Sequence, residues 1–140
     1  MSPKSRVVVV GYDGSATSKR ALTFAARRAG SEGRLLLVHA SERIDEAFMR
    51  GVRPDGVFDA TLPELAEGTP FETREVAGAP ATALVRAARE SGADEIVVGS
   101  RRLGLIHGGL GRVADRLLKE ADRPVTVVPP GFDPDYPNAA

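Results

Sequence analysis

The chain reads as an α/β protein built on a mostly parallel sheet. Three observations predict this. Short β-branched or leucine-rich runs recur along it. Segments with helical periodicity alternate with those runs, the order expected of strand–helix–strand crossovers. The runs are continuously apolar rather than alternating, which suits strands covered on both faces. A length of 140 residues fits one domain, 1–140, that can bury a core without disulfides or metal.

Val7 to Val10 is the first strand, ending in Gly11-Tyr12-Asp13-Gly14-Ser15. Ser15 or Thr17 can cap the helix that follows, whose apolar face is Ala21, Leu22, Ala25 and Ala29, and Gly30 can stop it. Leu35 to His39 is the second strand. The stretch 41–69 is the hardest to read: Arg50 to Gly56 is loop-like, and a short helix is expected over Leu62–Glu67 with Thr61 as cap and Pro63 in its first turn. Phe71 to Val76 forms the third strand. Pro80 opens a helix with Ala81, Leu84, Val85 and Ala88 on its apolar face, and Gly92 ends it. Ile96 to Val98 is strand four, Val113 to Ala121 a last helix, and Pro124 to Val128 strand five. Pro129-Pro130-Gly131 stops that strand, and residues 131–140 are expected to fray.

Composition removes several function classes. Nineteen basic and nineteen acidic residues give a formal charge of +0, so no overall field points to nucleic acid or a membrane surface. There is no cysteine, and the two histidines show no metal-ligand spacing, so no metal site is expected. The N-terminal apolar run is too short for a membrane span or a signal-peptide core, so a soluble cytoplasmic protein is the expectation.

The segment Gly99 to Arg112 carries the chemistry. A strand, a glycine-crowded loop and a helix start follow one another there. Such a loop points backbone N–H groups at a ligand, and the helix dipole favours an anion. In a doubly wound sheet this lies beyond the carboxyl ends of the strands, where ligands bind.

Five stretches in this order resemble the universal stress protein family: Val7 to Ser15, Leu35 to Ala40, Gly78 to Ala81, Ile96 to Arg101 and Arg123 to Pro129. The resemblance covers nearly the whole chain. It implies a doubly wound, five-stranded parallel sheet of order 3-2-1-4-5, with helices on both faces and Asp13 facing the glycine loop. It also implies a homodimer paired through the Val125–Val128 strand. Some members bind ATP and others do not. By resemblance, Asp13 contacts the nucleoside and the backbone of Ala40 meets the adenine. ATP-binding members carry Gly-x2-Gly-x9-Gly-(Ser/Thr) after strand four. Here Gly99 matches the first glycine, Arg102 stands at the second, and Gly111 matches the third, because Gly111-Arg112-Val113-Ala114-Asp115 resembles the family's helix entry. Eight residues separate Arg102 from Gly111, one fewer than the pattern, and Arg112 replaces the hydroxyl.

These departures have physical consequences. An arginine forced into a left-handed conformation costs about 1–2 kcal/mol. A guanidinium can also replace a hydroxyl contact by a charge-assisted, forked one. The nucleotide site is therefore expected to be degenerate; the alternative is an ATP-, nucleotide- or anion-binding site, with at most weak ATPase activity, in which Arg101, Arg102 and Arg112 join Asp13, Ala40, Gly99, Gly111 and Val113. Asp13 also reads as an Asx-turn residue, and the two roles are compatible. His39 is expected to be a satisfied core histidine and His107 an exposed loop residue. No efficient catalysis is expected. The aspartyl-phosphate pattern needs a second Asp two positions from Asp13, where Gly11 and Ser15 stand. A P-loop Gly-Lys-Ser/Thr is absent. Few aromatics lie near the loops to stack a flavin ring. The expected role is regulatory, in a stress response.

Overall fold

The computed structural model describes residues 5–41, 57–100 and 111–135. The five apolar runs form one sheet: β1 (Val7–Gly11), β2 (Arg34–Ser41), β3 (Phe71–Ala77), β4 (Glu95–Gly99) and β5 (Val125–Val128). Each neighbouring pair is parallel and the order is β3-β2-β1-β4-β5, as expected. Register runs straight across: Leu36 and Ile96 flank Val9, with Glu72 beyond Leu36 and Val125 beyond Ile96.

Parallel strands need crossovers, and those crossovers cover both faces. Helix α1 (Ala16–Ala29) lies on one face, where Leu22 and Ala25 meet Val8, Val10, Leu35 and Leu37. Helices α3 (Pro80–Ser91) and α4 (Arg112–Glu120) cover the other, where Leu84, Ala88 and Leu117 meet Val9, Leu36 and Ile96. Val8, Val9 and Val10 are each fully buried, which explains why β1 is continuously apolar. Burying a side chain of this kind contributes roughly 1.5–3 kcal/mol.

Ser15, not Thr17, caps α1: its Oγ accepts the Ser18 N–H at 3.2 Å. Gly30 and Gly92 end α1 and α3 as expected. The short helix α2 (Leu62–Leu65) is half a turn shorter than expected, and Thr61 does not cap it with its side chain. Instead the Asp59 carboxylate accepts both the Thr61 N–H and the Thr61 hydroxyl. The tail also departs from expectation through residue 135. Phe132 packs edge-on against Phe24, ring centroids 5.7 Å apart, and Arg27 donates to the Pro134 carbonyl and pairs with Asp135. Through residue 135 the tail therefore contacts α1 rather than fraying; residues 136–140 lie outside the described set.

Candidate nucleotide site

Three strands end together, and the chain leaves the sheet at their carboxyl ends. Above them opens a cavity of about 460 Å³. Asp13, Ala40, Gly99, Gly111, Arg112 and Val113 all line it, so the fold gathers six of the expected site residues from the ends of three strands and the start of one helix. The other two, Arg101 and Arg102, lie outside the described residues, as does His107.

Asp13 sits where β1 gives way to α1. Its Oδ1 accepts the Ser15 N–H at 2.9 Å, which is the expected Asx turn, and its own N–H meets Ser18 Oγ at 3.4 Å. The turn holds the carboxylate at the cavity wall rather than leaving it to swing in solvent. Ala40 enters from β2, one residue before its end. Both positions follow from strand register: Gly11 pairs with Val38, and the Tyr12 N–H continues the ladder to the Val38 carbonyl at 3.0 Å.

The two bracketing glycines are needed for different reasons. A Cβ on Gly99 would stand 2.6 Å from the Thr17 carbonyl oxygen, so β4 and the first turn of α1 meet too closely for any side chain. Gly111 has open space around it but a φ of +98°, a conformation other residues adopt only under strain. Gly111 is the N-cap of α4 and has no side chain to accept the first-turn N–H groups. Those donors, with the positive end of the helix dipole, lie on the cavity wall. Arg112, exposed in the first turn, lines the same wall. The wall can therefore hold an anion on one side and present Asp13 to polar hydrogens on the other.

Sequence reasoning did not assign Ser15, Thr17, Ser18, Ser41, Pro80 or Leu84 to this site, yet all line it. Ser15 was legible only as a cap, because its second role depends on which loops the fold brings near. His39 corrects an expectation: it lines the cavity, and its Nδ1 is buried with no hydrogen-bond partner among the described residues. Tyr12, 1% exposed, likewise has an unpartnered Oη. Burial, then the nearby Asp59 carboxylate, raises the Tyr12 hydroxyl above its ordinary pKa. Asp59 itself is lowered, first by the two Thr61 hydrogen bonds and then by Lys19. Among the described residues no cluster of three histidine or carboxylate side chains could hold a metal ion. No described helix is long and apolar enough to cross a membrane.

Comparison with known proteins agrees with this architecture. A universal stress protein of Thermus aquaticus is 34% identical over 135 residues, 88% of this chain and 98% of that protein. One from Mycobacterium tuberculosis is 34% identical over 139 residues, covering 88% and 95%. The crystal structure of a universal stress protein in complex with cAMP superposes with a TM-score of 0.69 at 30% identity, covering 91% of this chain and 98% of that one. The model of the universal stress protein family matches residues 4–129, the whole sheet and both helical layers, so the chain belongs to that family.

Proposed function

We propose that this protein is a non-catalytic regulator of a cytoplasmic stress response, working as a homodimer that senses an adenine nucleotide with a short phosphate arm. One observation carries the reading: the cavity at the carboxyl end of the sheet joins Asp13, the Ala40 backbone and the uncapped start of α4 in a single space. A relative 30% identical to this chain has been crystallised with cAMP, which carries a single phosphate. The nucleoside side of the site retains its expected residues. The phosphate side is altered: Arg102 and Arg112 stand where the ATP-binding pattern has glycine and a hydroxyl, and the loop is one residue shorter. A triphosphate therefore gains less here than a monophosphate or cyclic phosphate.

The two sheet edges support the homodimer. β3 carries Glu72, Thr73, Arg74 and Glu75, and charges on an edge discourage strand pairing. β5 is Val-Thr-Val-Val, half-buried in the monomer, and Leu118 on α4 is 54% exposed. Light scattering at high micromolar concentration should give a dimer, and a monomer there removes this part of the reading.

A thermal-shift series with ATP, ADP, AMP, cAMP and inorganic phosphate tests the ligand. AMP or cAMP at about 100 times its dissociation constant should add roughly 2.7 kcal/mol of stability, with ATP adding less. Asp13→Ala should abolish the gain. A larger shift with ATP than with AMP overturns the degenerate phosphate arm. Equal shifts with every phosphate, lost on Arg112→Ser, favour the second reading, a general anion site, for which the presence of Arg112 in the cavity lining speaks.

A further inference from the structure

Two buried polar atoms stand unpaired at the carboxyl end of the sheet. Tyr12 ends the β1 ladder by donating to Val38, which places it next to His39 on β2. Tyr12 Oη and His39 Nδ1 have no hydrogen-bond partner among the described residues, and neither atom reaches solvent. Both residues line the cavity. One ring seals both: Phe58 stacks on Tyr12 with centroids 6.1 Å apart and planes 17° apart, and stands edge-on to His39 at 6.4 Å and 89°. A core selected for stability alone would put a phenylalanine at Tyr12, because a buried hydroxyl without a partner costs the full desolvation of that group.

We infer that Tyr12 Oη and His39 Nδ1 form a polar subsite beside the cavity, sealed by Phe58 and completed by the hydrogen-bonding edge of a bound heteroaromatic base. The inference rests on the nucleotide reading and specifies which part of the nucleotide goes where. Both side chains can form hydrogen bonds, and together they can match the adjacent donor and acceptor on a base edge. An ionised carboxylate, Asp59, acts on Tyr12 and repels an anion, so this side takes the base and leaves the phosphate to Gly111 and Arg112. Phe58, already against both residues, offers an aromatic face for the incoming ring. The closed state trades two unmade hydrogen bonds for a sealed core, and ligand binding makes them.

The test compares AMP with ribose 5-phosphate, which lacks the base, on wild type, Tyr12→Phe and His39→Leu. Calorimetry should show AMP bound roughly 10-fold more weakly by each variant, with ribose 5-phosphate unchanged. Without ligand, Tyr12→Phe should melt about 3 °C higher than wild type, because the unpaired hydroxyl is gone. A melting temperature that fails to rise, or AMP affinities within about twofold of wild type in both variants, overturns the subsite. Equal weakening of AMP and ribose 5-phosphate also overturns it, since the effect then lies outside the base. Wild-type protein that ignores AMP altogether overturns the nucleotide reading itself, a result distinct from wild-type binding that Tyr12→Phe leaves intact.

Discussion

The two ends of the sheet are built on opposite rules. At the amino end the polar groups are tied off. Asp94 accepts the Val7 N–H at 2.9 Å. Glu95, 3% exposed, takes Arg28 at 2.8 Å and Arg6 at 3.4 Å on one oxygen and the Thr126 hydroxyl at 3.2 Å on the other. Arg123 donates to the carbonyls of Ala88 and Ala93 at 2.8 and 2.7 Å. At the carboxyl end α4 starts without a side-chain cap, and Tyr12 and His39 keep unpaired buried atoms. Hydrogen bonding completed within the chain makes a base for the fold; hydrogen bonding left open leaves donors and acceptors for another molecule to meet.

A glycine at each end gives the sharpest way to break this contrast. A Cβ on Gly33 would stand 2.5 Å from the Ala29 carbonyl oxygen and 2.6 Å from that of Arg6, and backbone cannot step aside cheaply. Gly33→Ala should therefore cost about 2–3 kcal/mol in urea denaturation followed by circular dichroism. Its affinity for AMP, measured where it is folded, should match wild type. Gly99→Ala meets the Thr17 carbonyl oxygen at 2.6 Å and should cost a similar amount, but it should also weaken AMP, because it pushes β4 away from the loop that holds Asp13. Equal ligand effects from the two would erase the distinction between the ends.

A smaller effect is expected from Glu95→Gln. It removes a buried charge on which two arginines converge, but Arg6 and Arg28 are 45% and 50% exposed and rehydrate. The loss should be about 1–2 kcal/mol, with no change in ligand affinity.

The smallest effect concerns Asp122, at the amino end of β5. Arg123 and then Arg89 hold its carboxyl at about 2, below the ordinary 3.8. A depressed folded-state value adds stability above the unfolded value and loses it as pH falls through the folded one. Melting temperatures of wild type and Asp122→Asn should thus converge between about pH 4 and pH 2. The pair is solvent-exposed, so the difference at neutral pH should be slight. A gap that persists at pH 2 would show that Asp122 acts through packing.

Much of this was legible in residue order. Val7 to Val10 announced a doubly covered strand, Gly30 and Gly92 announced helix ends, and Pro80 announced a helix start. These are local signals, carried by backbone preference and by runs of neighbouring side chains. Six of the eight expected site residues meet at one cavity, because each stands at a strand end or helix start that local pattern locates. The misses share a cause. Thr61 looked like a cap until Asp59 took its hydroxyl, and the tail looked unanchored until Phe132 met Phe24 and Pro134 met Arg27, more than a hundred residues away in sequence.

By itself, then, the sequence determined the strands, most helix boundaries, the family and the two glycines, Gly99 and Gly111, that stand at the cavity, because nearest-neighbour chemistry encodes all of these. Only the tertiary structure decided why Gly99 has no room for a side chain, which arginines hold Glu95, and that Tyr12 and His39 stand unpaired beneath one phenylalanine. Those facts depend on which distant atoms arrive within hydrogen-bonding or van der Waals reach, and reach is a property of the packed chain.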